Sequence, residues 1–266
     1  MDVAGSILAD GLQGNSSHGG VAGGGIHIET AALTGAGSIS VRGETYYAGA
    51  NYHTAGGGRI SIYSANTAGF TGDYKTGTGG NGLVSGAGTA FTKEPGQQYG
   101  HLYVSNAGRT APDRSTKLRE VGRHLISTVE NLENNLWRIT IDNSPWRVTD
   151  NALGWGVQGL EVSLDATQLA GARYQILSNT ENALIIQSTD DLSTVVGKQL
   201  VGLHPFQSVT ITGGAWLDLG EDRIIVLETN NSSIDAGSTI SSGRFQQEVL
   251  ELALTSGAGI VSGHAL

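Results

Sequence analysis

Tyr46, Tyr47, Tyr52 and His53 crowd into one stretch, "ETYYAGANYHTA", from Glu44 to Ala55, which has no period and reads as a loop inserted between repeats. Tyrosine presents an apolar ring and a hydroxyl at small entropic cost, so this cluster can serve as a platform for a sugar or a protein. The competing reading is that the rings fold back and cover a flank of the surrounding structure, as buried tyrosines ordinarily do. Trp137, Trp146 and Trp155 form a second aromatic set, and stacked indoles can hold carbohydrate. Trp137 lies in the alternating run "LWRITI" and reads as core. Trp146 in "SPW" and Trp155 in "LGWG" sit at turns and read as exposed ligand candidates.

Asp142, Asp150, Glu161 and Asp165 are the residue types of glycosidase chemistry, in which two carboxyl groups flank the bond to be cut. Nothing in their spacing sets a pair at a defined separation, and acids at turns are ordinarily solvated. The 7 histidines are scattered singly, without a His-x-His, His-x-x-x-His or HExxH pattern, so no metal centre is expected. "TDD", Thr189 to Asp191, is a weak calcium candidate, and the Asp-rich nonapeptide of calcium-binding β-rolls is missing. "GAGTAF" and "GGGRI" are glycine-rich, yet neither stands between a strand and a helix, which excludes phosphate-loop and dinucleotide readings. No Gly-x-Ser-x-Gly elbow occurs, and with no cysteine there is no thiol nucleophile, thiolate site or disulfide. The expectation is a protein without catalytic residues, metal or cofactor, and not an enzyme.

The formal charge of -9 argues against a nucleic-acid partner, which needs a basic face. One modest basic cluster, Arg114, Lys117, Arg119 and Arg123, is broken by Glu120. No apolar run approaches the roughly 18 residues of a membrane helix, and the opening "MDVAGSILADG" does not read as a signal peptide. Because a repeat pattern is already running at Gly5-Ser6-Ile7-Leu8, the expectation is an excised piece of a longer protein with an added Met1.

The elements that carry these residues follow from composition. The chain has 266 residues with 41 glycines, only 4 prolines and 15% charged residues, and Ile, Val and Thr recur throughout, which points to many short strands joined by tight turns. "GGGIHIETAALTGAGSISVRG" (Gly23 to Gly43) and "AGGGRISIYSANTAGFTGDYKTG" (Ala55 to Gly77) repeat one phrase, with Ile26 and Ile28 aligned on Ile60 and Ile62 after each glycine triplet. A looser third copy is "GAGTAFTKEPGQQYGHLYVSNAG" (Gly86 to Gly108), with Leu102 and Val104 in the alternating apolar places. Such short strands cannot bury a face alone and must stack on copies of themselves, as in a right-handed parallel β-helix. Glycines then occupy corners where positive φ or close backbone approach is required.

Composition changes after Gly108, where glycine thins out. "HLISTV", "LWRITI", "LEVSL", "RYQILSN" and "ALIIQS" read as five strands of a small antiparallel barrel or sandwich, with a helix over Arg114 to Ile126 as the weaker alternative at its start. From His204 the repeat grammar returns. The expected organisation is all-β: glycine-rich β-helix rungs over 1–110, an inserted small β module over 111–203, and truncated rungs over 204–266.

The phrases "GGGIHIETAALTGAGSISVRG", "AGGGRISIYSANTAGFTG" and "GAGTAFTKEPGQQYGHLYVSNAG" resemble the glycine-rich β-helical repeats of very large bacterial cell-surface, adhesin-like proteins, and "ALGWGVQGLEVSL" through "SVTITGGAWL" resembles the module that follows those rungs. Phe91 in "TAFTK" departs locally from the β-branched residue or Tyr that is typical there. The resemblance implies an extracellular or cell-surface structural and adhesive segment, a stiff stalk that displays loops. Expected partners are neighbouring repeats of the same parent chain and extracellular glycans or surface proteins of host or neighbouring cells. The ligand candidates are Tyr46, Tyr47, Tyr52, His53, Trp146 and Trp155. A carbohydrate-active β-helix enzyme, either polysaccharide lyase or hydrolase, is one alternative; it requires an acidic or basic cluster on one rung face. A self-associating filament or sheath subunit is the other.

Overall fold

The computed structural model describes residues 1–12, 20–48, 51–79, 85–109, 114–150, 156–168, 171–227, 231–235 and 237–241. The chain is all-β, built from several small parallel sheets and one closed antiparallel barrel, with a short 3-10 turn at Ser193–Val195.

The first strands are β1 (Ser6–Leu8), β2 (Gly25–Thr30), β3 (Thr34–Gly35), β4 (Ser38–Ser40) and the hairpin β5 (Thr45–Ala48) and β6 (Asn51–Thr54). They are followed by β7 (Arg59–Ser64), β8 (Gly69–Phe70), β9 (Asp73–Lys75) and β10 (Thr89–Lys93). Corresponding strands of successive phrases pair in parallel: β1 with β4 and β9, β2 with β7 and β10, and β3 with β8. Ile26 lies opposite Ile60 and Ile28 opposite Ile62, so the inward residues of one phrase rest on those of the next. Strand alternation turns these side chains to one face, where they join Leu33, Ile39 and Val41 in a first core.

The glycine triplets line the wall of this core for a steric reason. The Gly58 N–H turns across the interior to donate to the Val41 carbonyl at 2.7 Å, and a Cβ on Gly58 would lie 1.9 Å from the Gly24 carbonyl oxygen. Gly24 is the stacked neighbour of Gly58 in the preceding phrase; across the interior, a Cβ on Gly23 would lie 1.9 Å from the Val41 carbonyl oxygen and one on Gly57 1.8 Å from that of Thr76, separations that only glycine permits.

The third phrase behaves differently from its sequence alignment. The residues stacked on Ile60 and Ile62 are Ala90 and Thr92 of β10, not Leu102 and Val104. Leu102 and Val104 belong to β11 (His101–Ser105), which runs antiparallel to β10 after a turn at "EPGQQYG" in which Gly96 has φ 87°. Directly opposed residues of an antiparallel pair point to the same side of the sheet. Ala90 opposes Tyr103, and both contribute to the first core; Phe91 opposes Leu102, which joins Val104, Val209 and Ile211 in a second core. The six-stranded sheet therefore carries one core on each face, and the chain changes face where it changes direction.

The second core is completed by β12 (Thr116–Lys117) and by strands that follow the barrel. The barrel strands are β13 (Arg123–Asn131), β14 (Leu136–Ile141), β15 (Glu161–Ser163), β16 (Tyr174–Asn179), β17 (Ala183–Gln187) and β18 (Gln199–Phe206). The order β13-β14-β17-β16-β15-β18 closes through the β13–β18 pair, which leaves no free edge. All five segments read as strands of this module are strands; β18 is the sixth. There is no helix over Arg114 to Ile126: Gly122 sits at φ 87° and β13 begins at the next residue.

Beyond the barrel come β19 (Ser208–Thr212), β20 (Trp216–Asp218), β21 (Arg223–Val226), β22 (Ser233–Ile234) and β23 (Thr239–Ser241). They pair in parallel as β11-β19-β22, β12-β20-β23 and β18-β21. β18 thus belongs to two systems, closing the barrel through Gln199–Leu203 and stacking on β21 through Leu203–Phe206.

Candidate functional site

A cleft of about 820 Å³ opens where the glycine wall, the shared sheet, β12 and the barrel meet. Four of its lining residues are cations: Arg59, Arg114, Lys117 and Arg119. Its apolar walls include Phe91, Phe206 and Leu160, and none of the described residues that line it is Asp or Glu. In a chain of net charge -9, such a gathering of cations needs an account.

Each cation is held by a local device. Arg59 opens β7 directly after the Gly56–Gly58 wall, and alternation turns its side chain outward while Ile60 points into the first core. The segment bearing Arg114, Lys117 and Arg119 is secured at Thr116, which pairs with Leu217 of β20 and donates its hydroxyl to the Ala87 carbonyl at 2.6 Å. Arg119 donates from Nη2 to the Gln158 carbonyl of the barrel at 2.8 Å.

Burial, and then the nearby Arg59 charge, push the Arg119 pKa down, so two like charges face each other in the cleft. Lys117 Nζ lies 3.7 Å from Asp218 Oδ2, whereas Arg59 and Arg114 have no ion pair among the described residues. The adjacent acids do not line the cleft, although Asp218 reaches Ser115 and Lys117 at its edge. Burial first, then the charges of Asp222, Asp218 and Glu221, raise the Glu120 carboxyl above its ordinary value.

His204 also lines the cleft and is 6% exposed, with Nε2 3.0 Å from Oδ2 of the fully buried Asp222. Asp222 further accepts the backbone N–H groups of Val121 and Gly122 at 2.9 and 2.6 Å, which anchors the start of β13.

The aromatic candidates lie elsewhere. The stretch from Glu44 to Ala55, expected to be a loop, forms the hairpin β5–β6, because "TYYA" and "NYHT" both have strong β propensity. Its register opposes Tyr46 to His53 and Tyr47 to Tyr52. Trp146 is a correction to the expected exposure: it is 6% exposed, donates Nε1–H to the Val121 carbonyl at 2.8 Å, and packs edge-on against His124 in the barrel core. A buried indole with its only donor engaged offers no platform. Trp137 is core, as its alternation implies, and donates to the Ser188 carbonyl. Trp155 lies outside the described residues.

Of the carboxylates weighed for glycosidase chemistry, Asp165 and Glu161 have structural partners. Asp165 accepts from Thr167 and from Lys198, which hold its pKa down at about 2. Glu161 accepts the Tyr99 hydroxyl at 2.9 Å, tying the barrel to the turn before β11. Asp142 is exposed. In "TDD", Asp191 accepts the Ser193 N–H at 2.9 Å, at the start of the 3-10 turn. Among the described residues, no group of three or more His, Asp or Glu is arranged to hold a metal ion.

The basic segment was visible in the sequence, but Arg59 was not linked to it, and Arg123 does not line the cleft. The signal that joins them is spatial: Arg59 follows a glycine triplet whose stacked counterpart, Gly86–Gly88, contacts Ser115 and Thr116. Compared with family models, with curated proteins and with solved structures, the chain shows no significant match.

Proposed function

We propose that this chain is a structural and adhesive segment of a bacterial surface protein, acting outside the cell, in which the parallel ladders are turns of a right-handed β-helix interrupted by the barrel. The observation that carries this reading is the in-register ladder in which Ile26, Ile60 and Ala90 occupy one stacked row, each turn burying the apolar face of the one before. The reversal at β10–β11 is compatible with one continuous winding. Strand direction and buried face both invert there, and inverting both leaves the sense of rotation about the stack unchanged.

Stacked rungs supply stiffness, while the β5–β6 hairpin and the cationic cleft supply places for a glycan or surface protein to bind. Neighbouring repeats of the parent chain are the natural partners of the stack's outer strands. The test is a glycan-array and whole-cell binding screen of the chain beside a variant with Tyr46, Tyr47 and Tyr52 changed to alanine. The reading predicts saturable binding to at least one glycan or cell surface. Absence of binding by the folded wild-type chain sinks the adhesive reading.

A second reading, a polysaccharide lyase or hydrolase, is favoured by one observation: the buried His204–Asp222 pair stands at the wall of the cationic cleft. Release of reducing ends from an acidic polysaccharide by the wild-type chain, abolished in His204→Gln, would select it.

A further inference from the structure

We propose that the cleft between the glycine wall and β12 binds a polysaccharide whose sugars carry carboxylate groups, with Arg59, Arg114 and Arg119 as its recognition residues and Phe91 and Phe206 as its apolar walls. This rests on the adhesive reading and names the ligand class for it.

Three features converge on that chemistry. The first is uncompensated charge. Arg59 and Arg119 repel within one cleft, and although Asp218 pairs with Lys117 at 3.7 Å, none of the described residues that line the cleft is Asp or Glu. An anion that enters the cleft relieves this repulsion, so the site favours a negative ligand before any specific contact is counted. The second is donor type. A guanidinium presents a planar fork that matches a carboxylate bidentately, and Arg59 and Arg114 have no ion pair among the described residues. The third is shape and wall chemistry. Phe91 and Phe206 lie with ring centroids 6.5 Å apart and both face the cleft. An aromatic wall beside a few convergent polar groups suits the mixed apolar and polar faces of a pyranose. The exposed positions of Arg59, Arg114, Lys117 and Arg119 leave the cleft open to a polymer passing along it.

Nucleic acid is the less fitting polyanion. Its continuous phosphate backbone would run from the cleft onto the acidic flank of Glu120, Asp218 and Glu221, in a chain of net charge -9.

The experiment is a titration of the full chain with a homogeneous polygalacturonate oligomer, beside a neutral oligosaccharide of equal length, a sulfated oligosaccharide and a single-stranded oligonucleotide. The variants are Arg59→Gln, Arg119→Gln, the pair combined, Arg59→Lys, and the triple alanine change at Tyr46, Tyr47 and Tyr52. Both arginines are exposed, so thermal unfolding is expected to stay unchanged and separates loss of fold from loss of site. Binding of polygalacturonate should weaken by at least about tenfold in each glutamine variant and survive in the hairpin variant, with Arg59→Lys intermediate. Equal affinity of wild type and the double glutamine variant, or preference for the neutral, sulfated or oligonucleotide probe, overturns the proposal. Loss of polyuronate recognition alongside retained binding to another glycan or to cells overturns the cleft assignment alone and leaves the adhesive reading standing. Wild-type failure on every glycan and cell overturns both.

Discussion

Asp222 can occupy its position only because residue 202 is glycine: a Cβ there would sit 2.2 Å from the Asp222 Oδ1. The two residues fasten the barrel to the parallel ladders, since Asp222 accepts the N–H groups of Val121 and Gly122 at the entry to β13. Gly202→Ala, which displaces the carboxylate, and Asp222→Asn, which sets an amide NH2 against one of the two buried N–H donors, should each destabilise the protein by about 1–3 kcal/mol. Urea unfolding followed by tryptophan emission reads this directly. An unchanged midpoint in both variants would mean that this buried carboxylate does not anchor the barrel.

The glycine wall makes a position-specific prediction. Gly58→Ala places a methyl group 1.9 Å from the Gly24 carbonyl oxygen and should destabilise by at least about 1–3 kcal/mol through forced backbone displacement. Gly5→Ala, whose added Cβ meets nothing within 4 Å, should be close to neutral. Equal effects in thermal unfolding would contradict the close approach of the stacked glycines Gly24 and Gly58.

Acid should loosen the first stack through Asp10. Burial pushes this carboxyl up, but hydrogen bonds from Ser40, from the Arg42 backbone N–H and from the Arg42 guanidinium more than offset it and leave the pKa lowered from 3.8. A carboxyl with a depressed folded-state value stabilises the fold above its unfolded value, and that contribution is lost as pH falls through the folded value. Stability measured by urea at about pH 5 and about pH 3 should therefore fall more in wild type than in Asp10→Asn. The same fall in both would show that other carboxylates dominate.

Asn179 should behave as the barrel's polar hub. Its Oδ1 accepts from Val157 N and Thr149 Oγ1, both at 2.8 Å, and its Nδ2 donates to the Arg147 and Thr180 carbonyls, both at 2.7 Å. Asn179→Ala should destabilise by about 1–3 kcal/mol or more and loosen the segment that carries the buried Trp146. A red shift of tryptophan emission under native conditions is the expected signature; unchanged emission and stability would contradict it.

What could be read from the sequence was what hydrophobic period encodes. Ile26 and Ile28 announce their alignment with Ile60 and Ile62 because identical apolar residues recur in phase after each glycine triplet. Ala90 and Thr92 occupy the same row without an apolar signal, so the louder Leu102 and Val104 were read in their place. β18 was missed because Gly202 and Pro205 punctuate "QLVGLHPF" like a turn, whereas Gly202 makes room for Asp222 and Pro205 sits at the parallel β21 pairing. Trp146 follows a proline in a turn and still buries, since its N–H finds the Val121 carbonyl. The cleft was half visible: the basic segment stood out, but Arg59 reaches it only through stacking, which no local pattern records.

The strand order β7-β10-β11, with its reversal of direction and face, supports the whole account of a continuous stiff stack, and the absence of cysteine makes it directly testable. Ser61 pairs with Phe91, whereas the alternative alignment of Leu102 on Ile60 would bring Tyr103 beside Ser61. Two double variants, Ser61→Cys with Phe91→Cys and Ser61→Cys with Tyr103→Cys, oxidised and analysed by mass spectrometry of proteolytic fragments, separate these arrangements. The account predicts an intramolecular disulfide in the first pair and free thiols in the second. A disulfide only in the second pair would contradict it.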